Sequence, residues 1–242
     1  FGGSYYFAGD FREGLRIWTE HHERSQRRDD VLHQAWGHGG CALNLFRLGH
    51  FPETILRAEQ AMALFESNKD RISEIMVQGV LAVARLRQSD VGGATDAANG
   101  VWQKIRELGR PTSYLLLEGY SAVIEVHLAL AQTAKQETDR RKHIAIARSA
   151  WKAMKTYARI FPIGGPRLHY WQGHLALQTR SVEKAIPIWR RGLQIAEQLN
   201  MCYEQALAHG VLAKHIPDSH VQSIHRQRAL DLFQQCDASY DI

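Results

Sequence analysis

Thirteen histidines in 242 residues bring metal chemistry to mind first, because neutral imidazole is the commonest metal ligand. Their spacing speaks against it. His169 and His174 stand five residues apart, as do His215, His220 and His225. Five residues turn a helix by about 140° beyond a full revolution, so such pairs do not share a face. His21 and His22 are adjacent and diverge. The H-E-x-x-H of a zinc helix is missing, and Cys41, Cys202 and Cys236 lack zinc spacing. Three widely separated cysteines without a C-x-x-C read as reduced, mostly buried thiols of a cytoplasmic protein. The histidines are therefore expected to be structural or solvated, and neither a metal nor another cofactor is expected.

Nucleotide and nucleophile chemistry find no better footing. G-x-x-x-x-G-K-[ST] and G-x-S-x-G are both missing. Gly164-Gly165-Pro166 reads as a helix–helix connector, since its proline has no N–H to offer a phosphate. Glu118 and Glu125 read as solvated or salt-bridged carboxylates. No catalysis is expected, and any ATPase, cyclase or kinase activity would lie in domains outside this sequence.

Charge excludes further classes. Thirty Lys+Arg against 25 Asp+Glu give +5. The densest basic pieces, at 24–28, 140–142 and 190–191, are dispersed, and two of them touch Asp29-Asp30 and Asp139. That is the pattern of solvated helix faces. A nucleic-acid groove would want a continuous basic stripe with interleaved aromatics, so nucleic acid is not an expected partner. No apolar run approaching the ~18 to 20 residues of a membrane span is evident, and no membrane partner is expected.

Whatever chemistry remains must be positioned by helices. Ile55, Ala58, Ala61, Met62 and Phe65 recur at three and four, as do Leu193, Ile195, Ala196 and Leu199, so each segment carries one inward stripe. Alternating strands bounded by hairpin dipeptides are missing. The expected class is all-α.

A repeat organises the helices. A small residue is followed four later by a bulky or apolar one in Gly14/Trp18, Thr54/Ala58, Ala94/Ala98, Ala147/Trp151, Ala185/Trp189 and Ala229/Phe233. The steps between pairs are 40, 40, 53, 38 and 44 residues, enough for two helices and two short loops each. Turn signals fall within the units at Ala8-Gly9-Asp10-Phe11, Leu48-Gly49-His50-Phe51, Gln88-Ser89-Asp90-Val91 and Gln178-Thr179-Arg180-Ser181-Val182. One such hairpin cannot bury its apolar face alone, so the units must stack into a solenoid. The expected division is one domain over residues 1–242, with a partial first hairpin at 1–28. Full hairpins follow at about 30–68, 71–109, 112–161, 164–200 and 202–236. The long step is assigned to an extension around 132–139, and Pro187 is expected to bend its helix. Trp18, Trp151 and Trp189 are assigned to the core.

Leu48-Gly49-His50-Phe51 with Ala58 and Ala61, and Ala8-Gly9-Asp10-Phe11 with Trp18, resemble the turn and second helix of tetratricopeptide repeats (TPR). Within residues 158–212, Ala158-Arg159-Ile160-Phe161-Pro162-Ile163-Gly164-Gly165-Pro166-Arg167 precedes Trp171 and Ala185-Ile186-Pro187-Ile188-Trp189. Leu199-Asn200-Met201-Cys202-Tyr203-Glu204 follows. That succession is similar to the C-terminal TPR region of large bacterial signalling ATPases of AAA/STAND type, linked to adenylate cyclase or Ser/Thr kinase domains. The resemblance implies a TPR-like superhelical solenoid of antiparallel hairpins, acting as the regulatory tail of such a protein. The step length exceeds the 34-residue TPR period, so the superhelical pitch does not carry over. The opening Phe1-Gly2-Gly3 has no Met, and the chain is expected to be a piece of a longer polypeptide.

The first helix of each pair normally lines a solenoid's concave wall. Stacking the units puts Trp36, Arg47, Met76, Arg87, Arg167, Tyr170 and His174 there. Arginines mixed with aromatics suit an acidic or C-terminal peptide, because guanidinium pairs carboxylates bidentately and rings supply anchoring area. The expected role is a protein-interaction or regulatory module in signal transduction. Its partner would be a protein or peptide, acidic in character, or the parent protein's own ATPase or catalytic domain. The alternative is a small-molecule effector pocket inside the solenoid.

Overall fold

The computed structural model describes residues 2–179, 181–238 and 240. Among them there is no strand, and twelve α-helices follow one another in antiparallel pairs. They are α1 (Gly2–Ala8), α2 (Phe11–Gln26), α3 (Val31–Arg47), α4 (Phe51–Asn68), α5 (Arg71–Arg87) and α6 (Val91–Leu108). After these come α7 (Leu117–Thr133), α8 (Glu137–Ile160), α9 (Gly165–Thr179), α10 (Val182–Gln198), α11 (Cys202–His215) and α12 (Ser219–Gln235). The fold is a stack of antiparallel helical hairpins, as the repeat implies.

The connections obey local chemistry. Gly9 and Gly49 take φ of +86° and +81°, a left-handed region that glycine enters without steric cost. Asp10 and Asp90 accept from the backbone N–H three residues on, capping α2 and α6. Asp30, Asp70 and Asp218 do the same for α3, α5 and α12. The expected turn at 178–182 contains Arg180, which lies outside the described residues.

Two sequence expectations change. The extension assigned to 132–139 is only a three-residue link between α7 and α8. The long step comes instead from residues 109–116 before α7, and from Ala147 being the eleventh residue of α8 where Ala94 is the fourth of α6. Pro187 lies within α10 without ending it; as the sixth residue it removes a donor only from a first-turn carbonyl. Finally, residues 114–133 are long and apolar enough to cross a membrane, with mean hydropathy 1.3, but this segment is mostly buried in the helical stack.

The chain closes on itself. The first helices of the pairs pack in succession, α1 on α3, α3 on α5, α5 on α7, α7 on α9 and α9 on α11, and α11 returns to α1. Between α5 and α7 the backbones nearly touch: a Cβ on Gly79 would lie 2.9 Å from the Gly119 Cα. Across the seam between the two ends, Phe11 meets Tyr203 edge to face and Arg12 bonds Asp237 at 2.6 Å. An open concave wall was expected. Closure of this inner ring turns that wall into an interior, and the chemistry of the site follows from this.

Candidate functional site

Five of the six inner helices send a polar side chain to one hub. Arg47, the last residue of α3, donates from Nη2 to Glu118 Oε2 (2.7 Å), from Nε to the Tyr6 hydroxyl (2.7 Å) and from Nη1 to the Tyr203 hydroxyl (3.1 Å). Tyr6 donates to Glu118 Oε1 at 2.7 Å. Arg167, in the first turn of α9, holds Glu204 through Nε and Nη2 at 2.9 and 2.5 Å, and approaches Glu118 at 3.9 Å. Two guanidinium groups thus meet two carboxylates.

Burial makes this hub structural. Arg47, Glu118, Arg167 and Glu204 are 5%, 6%, 3% and 7% exposed. Burial works to lower the Arg47 pKa, but Glu118, Tyr203 and Tyr6 hold it well above the ordinary range. Burial pushes Glu118 up, and Arg47 and Arg167 more than reverse that, leaving its pKa lowered. Arg47 and Arg167, expected to face a ligand, are therefore committed within the protein. A charge so enclosed stays only because its partners are enclosed with it.

Above the hub lies a cavity of about 60 Å³, walled by Arg87, Glu125, Tyr170, Trp171 and Tyr240 among others. Arg87 pairs with Glu125, and its guanidinium lies 6.0 Å from the Tyr240 ring. The structure thus gathers Arg47, Arg87, Arg167 and Tyr170 in one place, around a space fit for water rather than for a peptide.

On the N-terminal side of Arg47 along α3, an apolar pocket of about 410 Å³ opens. Trp18, Trp36, Leu43, Phe65, Met76 and Tyr114 line it. Trp18 is half-buried rather than core. Its ring lies against Gly40, where a Cβ would come within 2.1 Å. Trp36 is fixed by its Nε1–H, which donates to Asp70 Oδ2 at 2.7 Å. The same carboxylate accepts from Ser73 N and Oγ at the start of α5. This pocket takes Trp36 and Met76 from the expected surface.

His174 belongs to a third space, a cleft of about 590 Å³ between α9, α11 and α12 that it shares with Tyr170, Lys214, His215 and Arg226. The seven expected residues therefore divide among three environments. Trp151 is half-buried too, donating to the Leu168 carbonyl at 3.2 Å, whereas Trp189 is fully buried.

Among the described residues no cluster of three or more His, Cys, Asp or Glu could hold a metal. The histidines instead pair across neighbouring helices. Nδ1 atoms lie 3.0 Å apart in His127–His143 and 2.7 Å apart in His209–His225, and the His22 and His38 rings lie 4.0 Å apart. Burial, with a second contribution from the partner ring, lowers His38, His127 and His209 to about 4.

No family model and no curated protein matches the chain. Among solved structures, a thermophilic TPR protein of Thermus thermophilus is similar over 78% of this chain and 95% of its own, at 16% identity and a TM-score of 0.48.

Proposed function

We propose that the chain is a non-catalytic interaction module that anchors one large apolar side chain of a partner protein in the Trp18–Trp36–Met76 pocket. That pocket carries the reading. It is an apolar, ligand-sized recess lined from α2, α3, α4, α5 and residues 112–115, and buried apolar anchors dominate interface energetics. The hub does not compete for a ligand, because Arg47 and Arg167 are satisfied by Glu118 and Glu204. The partner's defining chemistry is accordingly an exposed aromatic or aliphatic residue rather than acidity. The resemblance of residues 158–212 supports a finer reading. In it, residues 1–242 form one helical-repeat domain serving as the cytoplasmic C-terminal regulatory part of a bacterial signalling ATPase, and the partner is a protein or that ATPase's own catalytic domain.

A small apolar effector is the second reading, supported by the pocket's volume of about 410 Å³, which falls among small-ligand sites. Selecting random displayed peptides on the purified chain, beside titration with the neutral fluorophore N-phenyl-1-naphthylamine, separates the two. The interaction reading expects enriched peptides sharing one large apolar residue, with affinity lost in Met76→Trp, which fills the pocket. Fluorophore binding without peptide enrichment moves the assignment to the effector. Undiminished peptide binding by Met76→Trp removes the pocket from the function.

A further inference from the structure

Cys202 and Cys236, 34 residues apart in sequence, meet in the seam where the helical ring closes. Cys202 is the first residue of α11 and Cys236 caps the C-terminus of α12. Their Sγ atoms lie 2.8 Å apart, and both thiols are free. The widely separated thiols of the sequence are therefore neighbours in space. The seam is built around them: a Cβ on Gly9, between α1 and α2, would come within 2.7 Å of Cys236 Sγ and 3.2 Å of Cys202 Cβ. The next residue, Asp237, holds Arg12 of α2. Cys41, on α3, is 3.6 Å from the Thr19 hydroxyl and has no sulfur neighbour among the described residues.

We propose that Cys202 and Cys236 are a reversible oxidation site, converted by hydroperoxides into an intramolecular disulfide that locks α11 to the end of α12. Cys202 attacks first, being 8% exposed against 2% for Cys236. Its sulfur bonds the distal peroxide oxygen, the O–O bond breaks, and the departing hydroxide (alkoxide from an alkyl hydroperoxide) takes the Cys202 proton and leaves as water (or alcohol). The resulting sulfenic acid is then attacked by Cys236. The S–S bond forms, the S–O bond breaks, and the departing hydroxyl takes the Cys236 proton as a second water. Two thiols are oxidised and one peroxide is reduced. The lowered pKa of Cys202, which accepts the Cys236 S–H, agrees with that order.

The full chain, treated with hydrogen peroxide, blocked with iodoacetamide in denaturant and digested without reductant, tests this. The proposal expects a linked peptide pair carrying Cys202 and Cys236, with Cys41 alkylated and the link abolished by dithiothreitol. The chain should lose the mass of two hydrogens without forming an intermolecular cross-link, and its melting midpoint should rise by several degrees, since a cross-link restricts the unfolded chain. In Cys236→Ser no link forms, and Cys202 should instead be trapped by dimedone as its sulfenic acid. All three thiols still alkylated after treatment, links involving Cys41, or linked dimers would each overturn it.

Discussion

Trp36 and Arg47 sit three turns apart on α3 and end in opposite surroundings. Arg47 is enclosed by Tyr6, Glu118 and Tyr203, each satisfied by another member of the hub. Trp36 is half-buried on the rim of an apolar recess, its N–H committed to Asp70 and its ring resting against His33. Ring closure explains the difference. Where inner helices meet at the hub, a side chain must find its partner within the protein; beside the Trp36 recess an apolar wall borders open space. Chemistry that looks like recognition in sequence becomes architecture once enclosed, and recognition passes to the residues left at the mouth.

The largest expected effect breaks the hub. Arg47→Glu places a carboxylate beside the buried carboxylate of Glu118. Losing one partner of a buried pair costs about 3 to 5 kcal/mol, and the added repulsion takes this variant beyond that range. Arg47→Glu with Arg87→Glu would serve as a test of an exposed basic groove only if both arginines were superficial. Because Arg47 is buried, the double variant is expected to yield little folded protein, read by circular dichroism and urea melting. A cooperative, wild-type-like melt would mean that Arg47 is accessible.

Trp189→Ala sets the scale for packing without charge. The ring is fully buried, donates to the Tyr170 carbonyl at 3.1 Å and stacks on His215 of the next pair. The expected cost is about 3 to 5 kcal/mol, spread along the array because adjacent pairs share the ring. A loss below about 1 kcal/mol in urea melts would show that the ring is dispensable to that contact.

How much of this was legible in sequence depends on what each residue needed. Small residues four apart and Asp or Gly at turns act locally, so helix pairs and caps could be read directly. The hub could not, because it depends on closure of the ring, a property of summed rotations between units that no spacing encodes. One signal was available: Glu118 opens the apolar helix Leu117–Thr133, and Arg47 ends the apolar run Ala42-Leu43-Asn44-Leu45-Phe46. Charges in apolar helices need buried partners of opposite sign, which could have paired these two. The histidine pairs were missed for a similar reason, since spacing was judged along one helix while the contacts run between two.

Acid separates these regions through the histidines. His38, His127, His174 and His209 have pKa values of about 4 in the folded chain, chiefly through burial, against an ordinary value near 6.5. The unfolded state therefore binds more protons in this window. The penalty is absent above about pH 6.5 and grows as pH falls toward 4, so stability should decline over that interval. Glu118 has a lowered pKa, so the hub should hold until more acidic conditions. Urea midpoints at pH 7.5, 6 and 5 check this; a flat profile would mean that the paired histidines are solvated.

The smallest effect on stability should accompany the largest effect on binding. Met76 is 7% exposed, packed within the core cluster and forming part of the wall of the apolar pocket. Enlarging it to Trp in Met76→Trp directs the added rings into empty volume, so overpacking strain should stay near or below the usual 1 to 3 kcal/mol. Asp70→Ala provides the contrast on the same rim. It removes the cap of α5 and the acceptor of Trp36, costing about 1 kcal/mol, and frees the indole without filling the space. Binding of an apolar group should then weaken strongly in Met76→Trp and only modestly in Asp70→Ala, where the walls persist but Trp36 is no longer held. If Asp70→Ala proves the more damaging to binding, the oriented indole and not the empty volume is what the ligand recognises.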